Sequence, residues 1–535
     1  MNAVIYSPLE EYENKYKDLH MRNAEKFFEE LVAKSKVNIE ENRATVKEYD
    51  AFIDNLSKLK RKLNLYRFLR VIMIITIILI PIVIWKMTPK IRAMRSDIDA
   101  ADARANALLA LAHKQMQPLN QLFTANDAIS IMEETIPLLE FDPCFSVKQE
   151  MDMITNFDFQ TYNGTEQSTL DTLSGRYNEN PFLFENKLIH TMGSETYHGY
   201  KTIHWTETYR DSNGRLRRRT RSQTLHATVT KPKPLYNTQV VLNYGSQGGP
   251  ELSFSRDATH LEQKSESAIE RYIKKGEKKL KKLTDEAIKE NDDFMSMSNT
   301  DFEVLFDALD RTNEVQFRTL FTPLAQNNMV ELILSKVGYG DDFYFLKHNR
   351  MNKIISKHSQ GRSLLLLPNS IASHSFDIIK ENFSAKHAEY FRAVYFDFAP
   401  LLAIPMYQER PVHSLKPIPD FTQLYSQKES EVLANAVDYQ RIVHPNTKTQ
   451  AILKSKYIRS NNKEDEICVT AYSYNIIQRV DIIPVLGGDG RIHNVSVPWD
   501  DYIPLENSKH FYIAESNSVQ NKKIIARRNG LCIYQ

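Results

Sequence analysis

The hydropathy pattern is dominated by one uncharged run, Val71-Ile72-Met73-Ile74-Ile75-Thr76-Ile77-Ile78-Leu79-Ile80-Pro81-Ile82-Val83-Ile84-Trp85. Phe68 and Leu69 extend its apolar character, and Arg67, Arg70 and Lys86 carry stems long enough to snorkel toward headgroups. Tyr66 to Trp85 then covers about twenty residues, or about 30 Å of helix, enough to cross hydrocarbon. Tyr66 and Trp85 stand where interfacial aromatics belong, and a kink at Pro81 is tolerated in such a helix. The pattern therefore predicts one transmembrane helix over residues 66–87, with a buried core helix as the alternative. Leu364–Leu367 and Ala399–Pro405 are too short to span. Seventy residues precede the run and no small-residue cleavage site follows, so it is not read as a signal peptide.

Six basic residues precede the run (Lys58, Lys60, Arg61, Lys62, Arg67, Arg70) and five follow it (Lys86, Lys90, Arg92, Arg95, Arg104). That balance does not set orientation. The charged N-terminal arm has no export signal, which favours the N-terminus inside and the C-terminal part outside a cell membrane.

Residues 1–65 read as a charged helical arm. Phe27, Phe28, Leu31 and Val32 cluster on one side, and Ala51, Phe52, Leu56, Leu59 and Leu63 continue a stripe. Sustained heptads are missing, so a coiled coil is not established, though the arms offer a route to self-association. Residues 88–140 read as a helical stalk, built around the Ala-rich stretch Ala100–His113.

From 141 to 256 the texture becomes β-rich. Gly199–Tyr209 and Arg215–Val229 are strand-like, and Asp211-Ser212-Asn213-Gly214 between them is a hairpin signal. Residues 257–292 form a basic amphipathic helix, with Ile269, Tyr272, Ile273, Leu280, Leu283 and Ala287 opposite a lysine-crowded side. Residues 293–535 mix helices (300–310, 324–336, 383–395) with a strand over Glu314–Phe321. A second hairpin follows, with 467–484 and 491–498 joined through Leu486-Gly487-Gly488-Asp489-Gly490. The fold class expected is α+β: helical arm, transmembrane helix, stalk, then a mixed soluble region with β-hairpins.

Composition narrows the function classes. The 535 residues are 42% apolar and 25% charged, which excludes wholesale disorder. Lys and Arg number 69 against 67 Asp and Glu, so anion binding must come from a local patch. Cys144, Cys468 and Cys532 are too few and too far apart for a disulfide framework or a Cys-rich zinc site.

Little catalytic chemistry is legible. Gly338-Tyr339-Gly340-Asp341-Asp342 resembles a metal-holding Gly-Asp-Asp element, but no second acidic strand accompanies it, and a chance loop is the favoured reading. The fifteen histidines show no HExxH, and phosphate-loop, dinucleotide and nucleophile-elbow motifs are missing. No catalytic residue, metal ligand or cofactor is assigned.

The one local signal is basic. Arg215, Arg217, Arg219 and Arg221 alternate along one strand face, next to Arg210. Like charges at that spacing need solvent or an acidic partner. An anionic protein or lipid headgroup would serve, and no specific nucleic-acid binding is expected. The plainer reading is a charge-guarded edge strand.

Several long segments resemble an uncharacterised membrane-protein family of mycoplasmas and related low-GC bacteria. They are Thr202–Gly214, Ser222–Leu225, Val229–Pro232, Asn313–Arg318 to Ala325-Gln326, Pro484–Arg491 and Ile39–Arg43. The resemblance implies one N-terminal membrane segment and a large soluble part, with no catalytic residues to carry over. The expectation is a non-enzymatic binding module at a membrane surface, with the lipid bilayer and an anionic molecule as partners. The alternative is a membrane-tethered enzyme using Asp341, Asp342 and nearby histidines, an idea decided by whether those carboxylates converge on a metal-sized gap.

Overall fold

The computed structural model describes residues 4–75, 83–162, 164–290, 294–411, 415–461, 463–516, 524–528 and 531–534. The chain divides into two units, Met1–Leu139 with Leu365–Phe396, and Glu140–Leu364 with Asp397–Gln535.

The first unit is helical. Helix Lys17–Ser35 ends where Lys36 turns left-handed, at φ 55°. Helices Ile39–Ile75, Thr88–Asn120 and Asp127–Thr135 follow, with the start of helix Phe376–Leu402. Phe28 and Leu31, with Phe27 and Val32 half-buried beside them as the arm's first apolar cluster, enter a core with Met116, Leu119, Phe123, Ile131, Phe376, Ile379 and Phe383.

Helices Ile39–Ile75 and Thr88–Asn120 lie antiparallel. Asn42 meets Gln115 at 3.3 Å, Glu48 meets Arg104 at 3.1 Å, and Lys60 meets Asp102 at 3.0 Å. Leu63 is buried between Ile91 and Ile98, and Lys90 lies 4.8 Å from the Tyr66 ring centre. The second helix thus folds back along the first and does not extend it as a stalk.

This arrangement bears on the membrane expectation, which is corrected. No helix among the described residues is long and apolar enough to cross a membrane. The transmembrane helix over 66–87, and with it the single-pass cell-membrane placement and its sidedness, is not supported. Residues 76–82, central to that run, lie outside the described residues. On its N-terminal flank the reason is physical. Most of helix Ile39–Ile75 is polar, and Leu63 and Tyr66 find their apolar partners on the neighbouring helix.

The second unit is α+β, as expected. Strands β1 (Leu139–Phe141), β2 (Gln167–Tyr177), β3 (Asn180–Arg210), β4 (Leu216–Gly245), β5 (Ser253–Arg256), β6 (Phe343–His348) and β7 (Met351–Ser356) form a sheet ordered β1-β2-β3-β4-β7-β6-β5. Strands β8 (Ile452–Ser460), β9 (Glu464–Leu486), β10 (Ile492–Glu515), β11 (Ile524–Arg528) and β12 (Leu531–Tyr534) form another, ordered β11-β12-β10-β9-β8. Phe254 of β5 packs edge-on to Phe306 and Phe317 and at a tilt to Phe345. Leu433, Leu453, Ile467, Val469, Phe511 and Ile533 make the second core.

The strand expected over Glu314–Phe321 is instead helix Glu314–Leu320. Asn313 caps it by accepting the Gln316 N–H, and Phe317 and Leu320 are buried on its inner side. Capping here outweighs a short alternation of Val315, Phe317 and Thr319 that mimics a strand.

Candidate docking arm

Strands β3 and β4 hold 31 and 30 residues, far beyond the usual five or six, because only their inner ends belong to the sheet. β2 pairs with β3 over Asn180–Ile189, and β7 with β4 over Leu242–Gly245. Beyond those points the two continue as a two-stranded ribbon to the pair Arg210–Leu216. β9 and β10 do the same past Tyr472 and Tyr512, ending at Leu486–Ile492.

Both ribbons close with the same turn. Gly214 donates to the Asp211 carbonyl and Gly490 to the Gly487 carbonyl, at 2.9 and 3.0 Å. Gly214 and Gly490 have φ of 76° and 75°, the left-handed position of a three-residue hairpin loop. Asp211 Oδ1 also accepts the N–H groups of Asn213 and Arg215, each at 3.0 Å, so the Asp-x-x-Gly signal is a built turn.

The two ribbons pack face to face. Odd-numbered Ile203, Leu225 and Ala227 are buried against Val495 and Val497, with Trp205, Ile483 and Val485 around them. Lys201 donates to the Asn494 carbonyl at 3.0 Å, and Gly488 N–H to Gln223 at 2.6 Å. The result is a two-layer β arm with two outer faces.

The arginines sit at its end, and the structure divides them. Arg217, Arg219 and Arg221 lie on the odd face, where Arg217 pairs with Asp211 at 2.8 Å. Glu207 takes Arg219 at 3.2 Å and Arg221 at 2.6 Å. Their acidic partners are therefore their own ribbon's. Arg215 is an exposed turn residue. Arg210 pairs in register with Leu216 and stands on the opposite, even face.

That even face carries Arg218, which parity counting along the odd positions passes over. From Ser194 to Arg210 and Leu216 to Pro232 its positions hold Arg210, Arg218, His198, His204, His226, Tyr200 and ten Ser or Thr hydroxyls, and no carboxylate. Arg210, Arg215 and Arg218 form no ion pair with any described residue. Thr202 and Thr224 join hydroxyls across the strands at 3.1 Å. The outer face of the second ribbon is apolar instead, with Val480, Ile482, Leu486 and Ile492 each 59–71% exposed.

The Gly-Asp-Asp segment has a different outcome. Asp341 is buried against Arg256 and Thr259, while Asp342 accepts from His358 Nδ1 at 2.7 Å. His358 Nε2 faces Asp397 at 3.4 Å, and Tyr339 stacks on its ring at 3.8 Å. Ser359 donates to Asp397 at 2.6 Å, so its hydroxyl is spent on a carboxylate and not on the imidazole a nucleophile would need. The two carboxylates diverge. Among the described residues no group of three or more His, Cys, Asp or Glu could hold a metal ion.

A charged cluster elsewhere in this unit is also structural in dimensions. Buried Glu185 meets Lys428 at 2.6 Å and Lys187 at 3.1 Å, and Glu431 meets Lys454 at 2.6 Å. Burial opposes the Glu185 charge, yet Lys428 and Lys187 outweigh it and hold the carboxyl below its usual range. The cavity lined by Lys187, Lys428, Glu431 and Lys454 encloses about 20 Å³, room for one water.

Comparison with protein-family models, with curated proteins and with solved structures finds no match for the chain.

Proposed function

We propose that the chain is a non-enzymatic interaction protein whose β arm docks an acidic protein partner. The observation that supports this is the even face of the first ribbon, where two arginines, three histidines and ten hydroxyls stand without a carboxylate. Such a face presents positive charge, hydroxyls and imidazoles with no negative charge, and Arg210 and Arg218 are free to take paired carboxylate oxygens. A protein suits the arm better than a bare polyanion. Glu207 and Asp211 already neutralise much of the arginine charge, while the second ribbon adds an apolar strip that rewards apolar contact.

The test is binding of the full-length chain to immobilised poly-aspartate at low and moderate salt. Wild type should bind in a salt-sensitive way, and Arg210→Gln with Arg218→Gln should weaken binding severalfold. Arg219→Gln with Arg221→Gln should have less effect, since Glu207 already occupies both. Indifference of the wild type at low salt, or unchanged binding by the Arg210/Arg218 variant, removes the proposal. Tighter binding to single-stranded nucleic acid than to poly-aspartate would replace the acidic protein by a phosphate polymer.

A further inference from the structure

We propose that His198 and His226 form a two-imidazole site for a divalent transition-metal ion, with Cu²⁺ the best fit. The two residues are diagonal neighbours on the even face, since Tyr200 pairs with His226 and Thr228 with His198. His198 Nδ1 and His226 Nε2 approach to 2.9 Å. The ring planes differ by 11° and the centroids are 5.2 Å apart, so the rings lie nearly end to end around one shared proton. Both are exposed, and Tyr200 stacks on His226 at 4.8 Å, fixing that ring from one side.

The 2.9 Å separation is set by the shared proton, and it places both rings within reach of one ion. Imidazole nitrogen suits Cu²⁺, Ni²⁺ and Zn²⁺, and Cu²⁺ stands highest in affinity among the divalent first-row ions. Binding needs the donor ring to move its proton to its other nitrogen, so that both facing nitrogens offer lone pairs. Each ring must also turn about its outer torsion, which is broad for histidine, and His226 leaves its stack on Tyr200 to do so. Water fills the remaining positions. No carboxylate on this face competes for either ring.

The measurement is titration of the full-length chain with Cu²⁺ alone, followed by calorimetry and electron paramagnetic resonance. Wild type should show a site with two imidazole nitrogens coupled to the copper. His198→Asn and His226→Asn should each weaken that site by about 10–100-fold or more, since even loss of an outer-shell partner costs that much. His204→Asn, on the same face but away from the pair, should leave it unchanged. Circular dichroism checks that the exposed substitutions leave the fold intact. Equal titrations for wild type and His198→Asn, or coupling to a single nitrogen in wild type, overturn the site.

Discussion

Lys231 of β4 places its ammonium 4.1 Å from the centre of the Trp499 ring of β10. Asp481 of β9 completes the contact, meeting Lys231 at 2.7 Å and accepting from Trp499 Nε1 at 2.9 Å. The hydrogen bond from Lys231, then that from Trp499, hold the Asp481 carboxyl below its usual range. One cation, one anion and one indole thus join three strands from two ribbons.

If this contact locks the arm, Trp499→Ala should cost about 1–2 kcal/mol of local stability, from the cation–π and packing losses together. Amide exchange should rise over 480–498 and over 225–233, with the rest of the second unit unaffected. Uniform protection across wild type and variant would show that the ribbons stay together without the lock.

Gly199 marks a close approach of the two ribbons. A side chain there would stand inside contact distance of the Ser496 carbonyl, a backbone atom that cannot swing aside. Gly199→Ala should therefore push the layers apart and expose Ile203 and Val495, although the strand itself tolerates alanine. Increased binding of a hydrophobic dye and faster exchange at Val495 and Val497 are the expected results. A variant as protected as wild type would mean that the layers shift without loss.

Arg256 and Asp341 form a fully buried ion pair, with Arg256 also donating to the Phe343 carbonyl at 2.5 Å. Removing one partner leaves a buried charge without compensation, so Arg256→Met should destabilise by about 3–5 kcal/mol. Asp341→Asn should cost a comparable amount, because the amide still accepts from Thr259 but leaves the buried guanidinium without its charge partner. Replacing both by apolar residues, Arg256→Met with Asp341→Leu, should recover part of the loss. Chemical denaturation compares the three. Near-wild-type stability for Arg256→Met would return Asp341 to the list of residues held for chemistry and not for the fold.

Local signals carried the hairpins, and long-range ones did not carry the arm. Asp211-Ser212-Asn213-Gly214 and the Gly487–Gly490 turn are visible in the sequence because positive φ asks for glycine. The pairing of Glu207 with Arg219 was implicit as well. The turn fixes Arg210 against Leu216, and counting back puts Glu207 opposite Arg219. Alternation along a single strand misses this, and it hides Arg218 on the other face.

Packing of Ile203 on Val495 joins residues almost three hundred positions apart, for which the sequence carries no local cue. Nor does it mark that β3 runs unbroken through Gly193 and Gly199. The Val71–Trp85 run misleads for a related reason. Hydropathy reports apolar character, but the antiparallel return of helix Thr88–Asn120 beside Ile39–Ile75 is a tertiary fact.

The first unit should be sensitive to acid through His20 and His387. Burial pushes His20 down to about 3, with the nearby His387 adding to it, and burial pushes His387 down to about 4. His20 stacks on Phe391 at 4.0 Å with Nδ1 at 3.2 Å from the Thr135 hydroxyl. His387 stacks on Phe383 at 4.0 Å, and neither of its ring nitrogens has a hydrogen-bond partner among the described residues. Both rings therefore stay neutral in the folded state well below the ordinary value of 6.5. From about pH 6.5 down to 4 the unfolded chain takes up protons that the folded unit refuses, so stability falls as pH falls across that window. The combined loss is on the order of a few kcal/mol. Above 6.5 neither ring contributes to the pH dependence. His387→Leu removes one of the two groups together with an unsatisfied buried imidazole, so it should raise stability at neutral pH and flatten the decline. Urea denaturation at pH 7.5, 6.0 and 4.5, read by exchange in helix Lys17–Ser35, separates wild type from variant. Parallel declines for the two would mean that His387 is not what makes the unit acid-labile.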